Sequence, residues 1–201
     1  MNVISNILYW ISTGLLVPVI VLLIFFFIRA LLLLGSFFGQ YMQTKRLSAN
    51  LYGRIAELTP EKIDEFKASM PAKAGSLMGV YVNRILDNAG NQAKLDLLLS
   101  EYEIEADKNI ATSKVLTKMG PILGLMGTLI PMGPALVGLA TGDIASMAYN
   151  MQVAFATTVV GLVVSAIGFV TQQAKERWAV RQVTLLEYLA ETVGLEKEEG
   201  K

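Results

Sequence analysis

The sequence predicts an all-α integral membrane protein with three transmembrane helices, the second and third extended into a cytoplasmic helical bundle. Three observations predict it. Hydrophobic residues make up 53% of the 201 positions while the formal net charge is zero, so what matters is where the apolar residues lie. They lie in blocks, one over residues 7–38 and a double one over 119–170, whereas a soluble domain would spread them at helix or strand period. Finally, residues 120–171 contain no Lys, Arg or Glu and a single Asp.

The first span is expected over residues 12–34, within an N-terminal segment of residues 1–40. Tyr9 and Trp10 mark one headgroup level and Phe37, Phe38 and Tyr41 the other, where amphipathic rings settle. No basic n-region or small-residue cleavage pattern precedes Pro18, so this block reads as a retained span and not a cleaved leader. Pro18 is expected to kink it. Arg29 is the one charge inside, and its expected behaviour is to snorkel to the interface.

Residues 41–118 show no strand-like alternation and read as a cytoplasmic helical region. Thr59-Pro60-Glu61-Lys62 is a helix start, with threonine able to cap and proline suited to the first turn. Gly75, Gly79 and Asn88-Ala89-Gly90-Asn91 punctuate the region. From Gln92 the chain reads as one helix running into span two, over residues 119–141. The break at Thr141-Gly142-Asp143 then leads into span three, within residues 142–171, and helix continues into a tail over 172–201. Apolar residues at helical spacing (Leu95, Leu98, Leu99, Tyr102; Trp178, Val183, Leu186, Leu189) suit the two extensions to a bundle. Glu101, Glu103, Glu105 and Asp107 read as a solvated face.

Sixteen of the seventeen basic residues fall between positions 45 and 118 or between 175 and 201. Basic residues are retained on the cytoplasmic side. The expected topology is therefore multi-pass in the inner, cytoplasmic membrane, with the N-terminus and the hairpin turn outside and the C-terminus inside.

Cysteine and histidine are both absent, which removes thiol nucleophiles, disulfides, imidazole bases and the usual zinc ligands. No enzyme chemistry, resident metal or cofactor is expected, and no nucleic acid partner. Small residues form a stripe on each helix of the hairpin. Gly120, Gly124, Gly127, Pro131, Pro134, Ala135 and Gly138 lie on span two, with Ala154, Gly161, Ser165 and Gly168 on span three. In lipid, where nothing hydrophobic drives helices together, such stripes allow close backbone packing. Thr128, Thr157 and Thr158 go further, since hydroxyls at membrane depth suggest an ion path. Each could also simply bond its own preceding turn. Pro131 and Pro134 free carbonyls that could join the hydroxyls around a transient sodium ion. The hairpin has no mid-membrane carboxylate, so a partner would have to bring one.

Gly124-Leu125-Met126-Gly127-Thr128 and Ala156-Thr157-Thr158-Val159-Val160-Gly161-Leu162 resemble the MotA/TolQ/ExbB family, the ring subunits of ion-driven membrane motors. The resemblance covers roughly residues 110–180. Three spans with a short tail are similar to the ExbB and TolQ branch, since MotA has four spans and a larger cytoplasmic part. The resemblance implies a stator: a homo-oligomer, a pentamer, around a dimer of a single-span partner of the ExbD, TolR or MotB type. The aspartate of that partner carries the ion. Thr128 and Thr158 match the family threonines on the ion route. Val153, beside Gln152, stands where ExbB and TolQ commonly carry glutamate. Thr157 supplies the paired threonine of sodium-driven flagellar relatives, which leans the expectation from protons toward sodium. The alternative is a structural membrane scaffold in which small residues pack and hydroxyls only satisfy the backbone. A self-sufficient pore is disfavoured by the lack of charged rings.

Overall fold

The computed structural model describes residues 2–58, 63–68 and 76–195. These form six helices: α1 (Asn2–Gly14), α2 (Leu16–Ala56), α3 (Ile63–Ala68), α4 (Leu77–Asp87), α5 (Gln92–Thr141) and α6 (Ile144–Leu195). There is no strand among the described residues. Three helical stretches are long and apolar enough to cross a membrane, within Ile7–Met42, Gln92–Thr141 and Ile144–Gly194.

The interruption in the first stretch lies at Leu15, upstream of Pro18. Proline has no amide hydrogen, so Pro18 leaves the Gly14 carbonyl without its i+4 donor. The ladder continues on both sides of the break, with Leu15 N–H donating to the Ile11 carbonyl and Val19 N–H to that of Leu15, both at 3.1 Å. The expected cap at Thr59-Pro60-Glu61-Lys62, and Gly75, lie outside the described residues. Gly79 does not punctuate the chain. It belongs to the first turn of α4, where its N–H donates to Oγ of the capping Ser76 at 3.2 Å, and its size had suggested a break that the cap overrides.

Gly90, at φ +76°, reverses the chain before α5, and the Asn91 side chain accepts from the Lys94 N–H at the start of that helix. At the far end Gly142 adopts φ +74°. Asp143 N–H then donates to the Gly138 carbonyl at 2.8 Å and Gly142 N–H to that of Leu139 at 3.3 Å, the paired bonds of a Schellman stop that needs glycine in the left-handed position. Asp143 in turn caps α6, its Oδ1 accepting from Ser146 N–H at 3.0 Å. One dipeptide thus ends one span and starts the next.

The chain forms two compact units, Met1–Phe38 with Ala111–Gln173, and Gly39–Ile110 with Ala174–Lys201. In the first, α2 packs on the α5/α6 hairpin through two small clusters, Val19 and Leu23 with Leu123 and Ile130, and Ala30 and Leu33 with Leu116 and Val164. The second unit has a larger core, including Ile55, Phe66, Val82, Ile85, Leu95, Tyr102, Leu186, Leu189 and Val193. Tyr81 and Tyr102 meet edge to face there with centroids 5.2 Å apart, and the Tyr188 hydroxyl donates to the Leu58 carbonyl at 3.1 Å. Leu99 and Val183 pack against that core, while Trp178 instead meets Tyr41, centroids 5.9 Å apart.

Candidate ion site at the hairpin seam

Along the hairpin, α5 and α6 approach until backbone touches backbone. A Cβ on Gly120 would come within 2.6 Å of the Gly161 carbonyl oxygen and 2.8 Å of Ser165 N, and one on Gly161 within 2.6 Å of the Gly120 oxygen. Larger residues would force the helices apart. Ala154 is buried in this unit, and Gly124 faces Thr158 and Gly161 at ordinary contact distance.

Facing pairs are symmetric about Gly142 to within about a residue. Gly127 meets Thr157, Gly124 meets Gly161, Gly120 meets Ser165, and Gly168 meets Thr117. Ser113 bonds Thr171 in the same register. The tight turn therefore sets which side chains confront each other along the whole seam.

Thr128 and Thr158 converge on one acceptor. The Thr158 hydroxyl donates across the seam to the Gly124 carbonyl at 3.3 Å and to Ala154 within its own helix at 3.3 Å. The Thr128 hydroxyl donates to the Leu125 carbonyl at 2.7 Å and lies 3.4 Å from the same Gly124 oxygen. Both threonines are half-buried. A hydroxyl that spends its hydrogen this way keeps oxygen lone pairs for an incoming cation.

Thr157 is placed differently. It is only 7% exposed, it lies against Gly127, where an added Cβ would fall 2.6 Å from its own Cβ, and its hydroxyl donates to the Ala154 carbonyl at 2.9 Å and to Val153 at 3.1 Å. The structure thus brings Thr128 and Thr158 together and sets Thr157 at the neighbouring contact.

Three prolines lie within α5: Pro121, Pro131 and Pro134. Each withholds a donor from the carbonyl four residues earlier, namely Thr117, Gly127 and Ile130. The first of these is answered from the other helix, since Ser165 Oγ donates to the Thr117 carbonyl at 3.0 Å. The other two leave carbonyl capacity on the turn that carries Thr128.

Sequence reasoning singled out Ser165 only for its size and missed Ser113 and Thr171 altogether. Both are fully buried. Thr171 Oγ1 donates to Ser113 Oγ at 3.2 Å, and Thr117 Oγ1 to the Ser113 carbonyl at 2.9 Å. Counting outward from Gly142 would have paired them. No cluster of carboxylate ligands able to hold a metal occurs among the described residues, and Asp143 at the turn is the only acid in the hairpin spans. What the seam offers an ion is neutral oxygen.

The model of the MotA/TolQ/ExbB proton channel family matches residues 68–187. The match takes in more than half of the chain, including the whole hairpin. No significant match to a curated protein was found.

Proposed function

The chain belongs to the MotA/TolQ/ExbB proton channel family, and on that premise we propose that it is the ring subunit of an ion-driven motor, of the three-span ExbB and TolQ type. Several copies, a pentamer, surround a dimer of a single-span partner whose intramembrane aspartate carries the charge. The observation that supports this most is the sharing of the Gly124 carbonyl by Thr128 and Thr158 in a seam without a carboxylate of its own.

A cation leaving water needs several oxygens at short range and a compensating negative charge. The seam offers the oxygens, and the partner supplies the charge. Ion arrival neutralises the partner's aspartate, which then leaves the threonine site, so each ion that passes steps the ring against the central dimer. With Val153 where a glutamate would carry protons and Thr157 beside Thr158, the coupling ion is sodium. Thr157 joins the coordination when its bonds to Val153 and Ala154 loosen. Gln40 through Lys118 and the tail face the cytoplasm, and the N-terminus and Gly142 face outward.

Thr158→Val removes the hydroxyl with little change of shape. It is expected to leave assembly intact and abolish ion-dependent work, and unchanged work removes Thr158 from the path. In the same assay Thr157→Ala weakens the response to sodium more than assembly, and a protonophore that stops work at constant sodium gradient overturns the choice of ion. A scaffold would use the same donors merely to satisfy carbonyls. Co-purification separates the two readings, because a stator retains a small single-span protein with one intramembrane aspartate and a scaffold does not.

A further inference from the structure

Among residues of the unit formed by Met1–Phe38 and Ala111–Gln173, the charged side chains are Arg29, Lys114, Lys118 and Asp143. The three cations lie toward one end and the acid at the hairpin turn. Ala30 and Leu33 pack in one layer with Leu116 and Val164, so Arg29 and Lys118 flank the same level of the unit.

From Ile144 to Val164 the helix rises ~30 Å, which is already the thickness of a bilayer's hydrocarbon. Apolar surface nevertheless continues past that level, with Leu31, Leu32, Leu34 and Phe38 exposed on α2 and Phe169 and Val170 on α6. Arg29 thus lies within the apolar block of α2, in the layer of Leu116 and Val164, and not at the end of the span marked by Phe37, Phe38 and Tyr41.

The side chain does not reach toward the nearer end of the span. Its guanidinium carbon lies 5.9 Å from the centroid of Phe25, one turn back toward the middle. Phe25, Ile28, Val21 and Leu22 around it are all exposed apolar residues. A guanidinium in such surroundings calls for an anion. Among the described residues none is offered nearby, since residues 1–56, 108–142 and 144–175 contain no Asp or Glu.

We propose that Arg29 binds the phosphate of an anionic phospholipid in the leaflet remote from the hairpin turn, with the acyl chains lying over Phe25, Val21 and Leu22. The excess of cations at that level selects a lipid of net negative charge over a zwitterionic one. The same contact fixes how deep the ring rides in the bilayer.

The test uses the full chain in nanodiscs, with Ile28→Trp as reporter in a Trp10→Phe, Trp178→Phe background. Quenching by dibrominated phosphatidylglycerol is compared with that by dibrominated phosphatidylcholine at equal mole fraction. The expected result is a preference of about fivefold for the anionic lipid, lost in Arg29→Gln and partly kept in Arg29→Lys. Equal quenching by the two lipids before any change at Arg29 overturns the proposal, and that comparison stands even if Arg29→Gln fails to fold. A preference that survives in folded Arg29→Gln also overturns it. So does an Arg29→Gln variant that keeps the lipid preference and sheds an acidic protein, because the anion is then a carboxylate.

Discussion

The same two helices, α5 and α6, pack by opposite means in the two units. In one they meet through Gly120, Gly124 and Gly161 with side chains removed from the contact. In the other they contribute Leu95, Leu98, Tyr102, Leu186 and Leu189 to a core of large side chains. The difference follows the solvent. In water, burying a leucine is itself a driving force. In lipid it is not, so association comes from close contact and from hydrogen bonds.

Substitution to alanine in each region breaks or sharpens this contrast. Leu186→Ala deletes buried methyl groups and is expected to destabilise the second unit by about 3 kcal/mol, read as a lowered midpoint in urea. Gly161→Ala adds one methyl where an added Cβ is 2.6 Å from the Gly120 oxygen. It is expected to cost about 2 kcal/mol in the membrane unit, although glycine to alanine favours an isolated helix by about 1 kcal/mol. A stabilised Gly161→Ala protein in thermal melts in detergent would show that the seam is looser than the contact distances require.

Ser165→Ala is expected to cost about 1 kcal/mol, since it orphans the Thr117 carbonyl. Pro121→Ala restores that carbonyl's own donor, so a double-mutant cycle should show the Ser165 effect largely erased in the Pro121→Ala background. Additive effects would mean that the serine acts through size alone.

The smallest effect concerns Lys175, whose pKa burial lowers from the ordinary lysine value while its Nζ donates to the Asn109 carbonyl at 3.2 Å. Burial disfavours the charged form, so the protonated lysine destabilises the fold at neutral pH. That penalty fades as pH rises through the folded pKa toward the unfolded one. Lys175→Met should therefore leave stability at neutral pH unchanged or slightly raised and flatten its rise in mildly alkaline solution, as followed by thermal melts across pH.

Much of the fold was legible because blocks of hydropathy and a Gly-Asp break are strong local signals. Gly142 announced the turn, and the apolar spacing of Leu95, Leu98, Leu186 and Leu189 announced the second core. Less legible was which hydroxyl faces which. Thr157 and Thr158 are neighbours in sequence, yet a helix turns about 100° per residue, so one is buried against Gly127 and the other reaches the Gly124 carbonyl. Ser113 and Thr171 stand in mixed-polarity stretches with no motif around them, and only the register about Gly142 joins them. Arg29 is expected from sequence to snorkel to the interface, whereas its guanidinium lies over Phe25, one turn back toward the middle, a lean that the sequence does not carry.

The bond from Ser165 to the Thr117 carbonyl also bears on how the protein enters its membrane during synthesis. Until α6 emerges from the ribosome, α5 carries just ahead of its span an acceptor that Pro121 has stripped of its donor. Insertion of α5 and α6 as a pair avoids this state, because Ser165 then meets the Thr117 carbonyl from the start.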